Sequence, residues 1–236
     1  MIDNRAKMET ILEQMDDIGL TPPDFFLEYS KKNTFFFNLS DLDQQQFMEL
    51  YDQIDNNIEY NNTKSKGTLL ENLTMLVFEK GCRNLFYCRN NCRTSTNEMD
   101  VLIEWNTSAR EGGYNQSYPC FGDSFICECK NYNEKVNVTY VGKFFSLLKV
   151  SNVHLGVLIS WEGVTGRNQW SDALGFIKKV ALAERIYIVV LDKNDLKEIY
   201  TKEKNIFSLV HEKYMALKND VDYSKYIKAH EAEGKL

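Results

Sequence analysis

Ser124-Phe125-Ile126-Cys127-Glu128-Cys129-Lys130 is the stretch on which the fold turns. Side chains alternate along a strand, so Phe125, Cys127 and Cys129 share one face, and Ile126, Glu128 and Lys130 share the other. The run is apolar until its last three residues. A strand here therefore carries an acid and a base at the end of an otherwise buried segment, where charge is costly without a partner or a metal ion. Downstream, Val138 to Val150 has helical spacing, with Val138, Val141, Phe145 and Leu148 on one face. Leu155 to Trp161 is an apolar strand, Asp172 to Ala183 a helix, and Ile186 to Leu191 another strand. Strand, helix, strand, helix, strand implies parallel pairing with crossover helices. Upstream, Leu85 to Thr94 and Glu98 to Trp105 read as a hairpin. The fold class predicted is α/β, a mixed central β-sheet flanked by helices on both faces, with an N-terminal helical extension.

Farther out, Thr68 to Lys80 reads as a helix stopped by Gly81. Asn106 to Asp123 reads as a long polar loop around Gly112-Gly113, of the functional or mobile kind. Residues 4 to 18 form a helix interrupted by Pro22-Pro23, and Ser40-Asp41-Leu42-Asp43 opens a second helix to about Asp55. Asn56 to Lys66 is Asn-rich and reads as a linker. The expected organisation is an N-terminal helical region over 1–62, a core domain over 63–200 and a helical tail over 201–236, fraying after Asp222. The 236 residues, 43% apolar and 26% charged, have the profile of a globular protein. No apolar run approaches a membrane span, and the first residues lack the apolar segment of a signal peptide, so a cytoplasmic location is expected. The six cysteines are then expected as reduced thiols. The spacing of Cys82, Cys88 and Cys92 departs from paired zinc knuckles, and Cys127 and Cys129 read as small buried residues.

Three positions can join the Glu128–Lys130 pair in chemistry. Asp100 lies on the strand Glu98-Met99-Asp100-Val101-Leu102-Ile103-Glu104-Trp105, where Met99, Val101, Ile103 and Trp105 make the apolar face and Asp100 points the other way. If that strand neighbours 124–130, the carboxylates of Asp100 and Glu128 converge. Two carboxylates with the backbone carbonyl of Cys129 and water make a hard oxygen site suited to Mg²⁺. Glu71 is a provisional fourth member, since Thr68-x-x-Glu71 also fits a helix capping box. The acid-x-Lys triplet alone is weak: it recurs at Asp195-Leu196-Lys197 and Glu233-Gly234-Lys235, both read as exposed polar segments. Strand context is what singles out Glu128-Cys129-Lys130.

The order helix acid, strand Asp, strand Glu-x-Lys, helix resembles the restriction-endonuclease-like PD-(D/E)xK nucleases, and within them the Mrr-like restriction endonucleases. The resemblance is carried by Lys66-Gly67-Thr68-Leu69-Leu70-Glu71, Thr96-Asn97-Glu98-Met99-Asp100-Val101-Leu102 and Cys127-Glu128-Cys129-Lys130-Asn131. Leu155 to Gly166 supports it, and the likeness covers roughly residues 66 to 200. Met99 stands where the motif's proline would be. The resemblance implies a Mg²⁺-dependent endonuclease (Mn²⁺ substituting) with Asp100, Glu128, Lys130 and Glu71 as catalytic residues. Asp100, Glu128, the Cys129 carbonyl and provisionally Glu71 would be the metal ligands. It also implies DNA as substrate, in-line attack by water, a role in restriction or defence against foreign DNA and, for a double-strand cut, paired active sites in a homodimer. Lys143 is the nearest match to a polar residue on the helix after the strand lysine, and Glu98 is a candidate extra acid.

Other readings remain open on the residues. The same fold serves as a catalytically weak or inactive nucleic-acid-binding or scaffold module, and an RNA-directed nuclease fits the same chemistry. A net charge of −6 gives nucleic-acid binding no support. Only three histidines occur, at 154, 211 and 230, far apart in sequence, which disfavours His-based hydrolysis. No Gly-rich loop ends in Lys-Ser/Thr, and Gly163-Val164-Thr165-Gly166 reads as a turn. Phe25-Phe26 and Phe35-Phe36-Phe37 read as core or interface aromatics.

Overall fold

A computed structural model describes residues 4–21, 24–25, 37–56, 63–82, 85–93, 98–166 and 172–219. Pro22-Pro23, Phe26, Phe35-Phe36, the segment 57–62, the turn 94–97, His230, Glu233-Gly234-Lys235 and the chain beyond Asn219 lie outside them. So does the side chain of Glu98.

The elements are α1 (Asn4–Asp17), α2 (Asp41–Asp55), α3 (Thr63–Gly81), β1 (Phe86–Arg93) and β2 (Glu98–Trp105). There follow α4 (Thr107–Glu111), α5 (Tyr114–Ser117), a 3₁₀ turn (Pro119–Phe121), β3 (Ser124–Lys130) and α6 (Val138–Val150). The chain continues through β4 (Leu155–Ser160), α7 (Asp172–Glu184), β5 (Tyr187–Leu191), α8 (Lys193–Tyr200) and α9 (Ile206–Lys218). The sheet order is β1-β2-β3-β4-β5. β1/β2 and β2/β3 are antiparallel, and β3/β4 and β4/β5 are parallel. The fold is the α/β mixed sheet that the sequence predicts, preceded by an N-terminal helix.

Helices cover both faces. Phe125 meets Phe78 of α3, and Thr74 of α3 lies against Cys129, so the Phe125-Cys127-Cys129 face looks at α3. On the other face, Phe144 and Leu148 of α6 come so near Gly156 of β4 that a Cβ there would lie 2.5 Å from Leu148. Glycine is the residue that lets this helix approach its strand. The buried side of α6 is Val141, Phe144, Leu147 and Leu148. This corrects the expected stripe at two positions: Val138 sits in the exposed first turn and Phe145 turns sideways to stack edge-on with Phe176 of α7.

Three further expectations change. First, 106–123 is an ordered corner and not an open polar loop. Asn106 caps α4, Trp105 Nε1 donates to the Gly122 carbonyl at 2.8 Å, and Phe121 is buried among Phe86, Trp105, Phe125 and Phe207. Aromatic burial outweighs the polar composition there. Second, α3 starts at Thr63, so Thr68 lies inside the helix and cannot be its N-cap. Third, Asp195 is only 15% exposed, and it pairs with Lys213 of α9 at 2.6 Å and not with Lys197.

The outer helices share the sheet's core. Gln44 of α2 donates to the carbonyls of Ile199 and Tyr200, Tyr51 lies against Trp161, and Phe207 and Val210 of α9 are buried. No helix among the described residues is long and apolar enough to cross a membrane.

Candidate active site

The site forms where two ladders end at different heights. β2 and β3 pair from Glu104↔Ser124 to Val101↔Cys127 and no farther, whereas β3 stays paired with β4 as far as Lys130↔Ser160. The last turn of β3 thus has a neighbour on one edge and a gap on the other. Across β2, the β1/β2 ladder also skips the position joining Asn91 and Asp100, and Asn91 is left-handed at φ 49°. Asparagine is among the few side chains that tolerate this conformation. The irregularity falls beside the residue that enters the gap.

That residue is Asp100. Its Oδ2 accepts the Cys129 N–H at 2.8 Å, taking the place of the missing strand carbonyl. Lys130 O, one residue on, accepts from Trp161 N on the β4 side. Successive peptide groups of a strand point to opposite edges, so the Cys129 carbonyl, like its N–H, is directed toward the gap. Glu128 and Lys130 project from the face they share. Lys130 Nζ lies 2.6 Å from Glu128 Oε1 and 3.5 Å from Asp100 Oδ2. These three side chains are 16–22% exposed, enough for solvent to reach them and little enough for charge to matter.

The electrostatics are those of a site short of positive charge. Burial pushes the Glu128 carboxyl above its usual range; Lys130 pulls it down, and Asp100 and Glu71 push it up again. For Lys130, burial would lower the ammonium's pKa, but Glu128 and Asp100 outweigh it and hold the group protonated far into the alkaline range. Glu71 acts on both Glu128 and Cys129 from α3. With the capping box gone, its placement one turn before Thr74, which contacts Cys129 Sγ at 3.3 Å, puts it at the same end of the sheet. Among the described residues, three acids thus act around one ammonium. An additional cation is the natural complement, and the oxygen-only donors on offer suit a hard ion such as Mg²⁺ or Mn²⁺. Asp100, Glu128 and the Cys129 carbonyl have the chemistry to hold it; among the described residues, no three His, Cys, Asp or Glu side chains cluster as a ready metal cage.

The sulfur groups take no part. Cys127 and Cys129 are buried, and burial pushes both thiols well above their ordinary value. All six cysteines are free. Of the two described histidines, His154 precedes β4 at the end of the sheet away from Lys130, and His211 Nδ1 lies 3.7 Å from Cys120 Sγ, whose thiol burial raises to about 11. Gly163 serves the turn after β4, accepting from Ser160 Oγ at 2.8 Å. Lys143 is exposed and lies over the Tyr140 ring, 5.3 Å from its centre. It belongs to the rim, not to the Asp100–Glu128–Lys130 cluster.

Two rim residues carried no sequence signal strong enough to single them out. Tyr132, two positions past Lys130, and Tyr140, at the start of α6, meet at a ring-centre distance of 5.9 Å. The one available cue was alternation, which carries the face of Glu128 and Lys130 on to residue 132.

No protein-family model matches the chain. An uncharacterized protein of the archaeon Methanocaldococcus jannaschii is similar to it, 33% identical over 92 residues. The matched segment spans 38% of this chain and 36% of that protein.

Proposed function

We propose that the chain is a Mg²⁺-dependent endonuclease that hydrolyses phosphodiester bonds in DNA. The observation that carries this reading is the convergence of Asp100, Glu128 and Lys130 at the carboxyl end of β3, where the sheet changes from antiparallel to parallel. Open α/β sheets bind ligands outside the carboxyl ends of their strands. The resemblance to the PD-(D/E)xK nucleases, Mrr-like branch, supports the same assignment.

Phosphodiester hydrolysis needs a placed water, positive charge at the phosphoryl oxygens and relief of charge on the leaving oxygen. A divalent cation held by Asp100, Glu128 and the Cys129 carbonyl would supply that charge and lower the pKa of water. Asp100 also fixes the β3 backbone through the Cys129 N–H, so the carbonyl's direction and the carboxylate's position are set together. Lys130, 2.6 Å from Glu128 and 3.5 Å from Asp100, would orient the incoming water and stabilise the developing negative charge. Glu71 acts on Glu128 electrostatically from α3. Restriction or defence against foreign DNA is the biological setting this chemistry fits, within a reducing compartment where six free thiols persist.

One observation favours a second reading. Lys130 already bonds Glu128 and neighbours Asp100, so the cluster can be seen as a self-neutralised remnant in a binding or scaffold module. Plasmid DNA and a structured RNA, incubated with Mg²⁺ or Mn²⁺ and with wild type, Asp100→Ala or Lys130→Ala, separate the readings. Cleavage of DNA by wild type, lost in both variants, is expected. Cleavage that survives both substitutions would sink the assignment, cleavage of RNA alone would redirect it, and no cleavage by wild type would favour the binding module.

A further inference from the structure

Beside the cluster lies a feature that phosphate chemistry does not use. β3 ends at Lys130, and the chain crosses to α6 through 131–137. Tyr132 in this crossing and Tyr140 in the first turn of α6 are 41% and 40% exposed, although each carries a large apolar ring. Their planes are inclined at 60°, an edge-on contact that leaves the rings unstacked. Tyr140 is braced. Asn137 Oδ1 accepts the Tyr140 N–H at 3.3 Å, and Lys143 covers the Tyr140 ring at 5.3 Å. Tyr132 follows the end of β3 by two residues, its hydroxyl feels Lys130 and Glu128, and it hydrogen-bonds the Tyr140 side chain. An exposed aromatic face beside a phosphate-cleaving centre has an obvious chemical complement in a nucleobase, whose π-face stacks without regard to sequence. In a duplex that face is covered by neighbouring bases and is free only where a nucleotide is unpaired.

We propose that Tyr132, buttressed by Tyr140 and Lys143, is a stacking subsite for an unpaired nucleobase adjoining the scissile phosphate. The substrate favoured would then be DNA with a single-stranded or distorted segment at the cut. The inference rests on the nuclease reading for its placement next to the scissile bond. The stacking itself is a binding property and is separable from cleavage. It also gives a chain of net charge −6 a source of affinity other than long-range attraction.

The test is fluorescence anisotropy with the full chain in EDTA, using one labelled single-stranded DNA of mixed sequence and the same strand in duplex. Tyr132→Leu should weaken single-strand binding about 5- to 150-fold while changing duplex binding little. Tyr132→Phe and Tyr132→Trp should bind the single strand like wild type or better, and the two together control for any folding defect in the leucine variant. Single-strand binding by Tyr132→Leu equal to wild type would overturn the subsite. So would a loss in Tyr132→Phe as large as in Tyr132→Leu, an equal loss on duplex, or no single-strand binding by wild type. Because no metal is present, ring-dependent binding in a chain that never cleaves would leave the subsite standing and remove only the nuclease reading.

Discussion

Two of the acid–lysine groups among the described residues are built to opposite ends. At one, Asp195 of α8 meets Lys213 of α9 at 2.6 Å. Its bonds serve the fold: Asp195 Oδ2 accepts the Asp192 N–H at 2.8 Å to complete the α8 capping box, and Lys213 Nζ donates to the Val190 carbonyl of β5 at 2.9 Å. One acid faces one base, and the bonds join β5, α8 and α9. At the other, one ammonium serves Glu128 and Asp100 under the influence of Glu71. Glu128 and Lys130 leave the same strand, so their bond joins nothing that β3 has not already joined. The first group is balanced and structural. In the second, acids outnumber the ammonium among the described residues, and the Glu128–Lys130 bond ties no two elements together, an arrangement that suits the proposed cation site.

That contrast is broken most severely by exchanging the outcomes. Glu128→Gln and Lys130→Ala should each lower the rate of plasmid cleavage in Mg²⁺ by about 10²- to 10⁴-fold, the range for loss of transition-state charge stabilisation or a positioned proton donor. The melting temperature of Glu128→Gln in EDTA should stay near that of wild type. Asp195→Ala should do the reverse, with cleavage per folded molecule retained and stability lost. A Glu128→Gln protein that cleaves normally but melts early would make the two clusters alike and both structural.

The next largest effect is a response to metal. Saturation with Mn²⁺ at a hundred times its dissociation constant should stabilise wild type by about 2.7 kcal/mol, raising its melting temperature by roughly 5–10 °C for a chain of this size. Glu128→Gln should lose most of that rise, and Asp195→Ala should keep it. Differential scanning fluorimetry with Mn²⁺ against EDTA reads both. A rise of equal size in wild type and Glu128→Gln would place the ion elsewhere.

What the sequence disclosed of these clusters follows from how local each one is. Alternation along 98–105 and 124–130 sufficed to set Asp100, Glu128 and Lys130 on one face, because strand periodicity is a property of adjacent residues. The sheet itself was legible for the same reason, as were the crossover helices. The Asp195–Lys213 pair was not, since its partners sit on different helices and only packing brings them together; Asp195-Leu196-Lys197 looked like a solvated triplet. The 106–123 corner was missed because Phe121 finds Phe86, Phe125 and Phe207 only in three dimensions. Glu71 was misjudged at the helix start: Thr68 fits a cap by type, but α3 begins five residues earlier at Thr63. The Asp100 bond to the Cys129 N–H was also beyond reach, because it depends on where the β2/β3 ladder stops.

A smaller effect sharpens the structural side. Asp195→Ala removes the acceptor for the Asp192 N–H and leaves Lys213 with the Val190 carbonyl alone, which should cost about 1–3 kcal/mol, or several degrees in melting temperature. Urea denaturation at neutral pH measures it; an unchanged midpoint would show that the tie between α8 and α9 carries no weight.

The smallest effect concerns pH and has a definite sign. Burial holds the Asp195 carboxyl above its ordinary value, against the pull of Lys213 and of its hydrogen bonds. In the unfolded chain the same group gives up its proton near the ordinary value of about 3.9. Between the two values the folded protein binds more protons than the unfolded chain, so this residue's contribution to stability declines as pH rises through that window. Asparagine at 195 retains an oxygen for the Asp192 N–H but does not titrate. The stability of Asp195→Asn relative to wild type should therefore move in the variant's favour between about pH 3 and pH 7, with urea midpoints in EDTA as the measure. A gap moving toward wild type would mean that the attraction of Lys213 exceeds the cost of burial. The balanced cluster would then be stabilised by its charge as well as by the elements it joins.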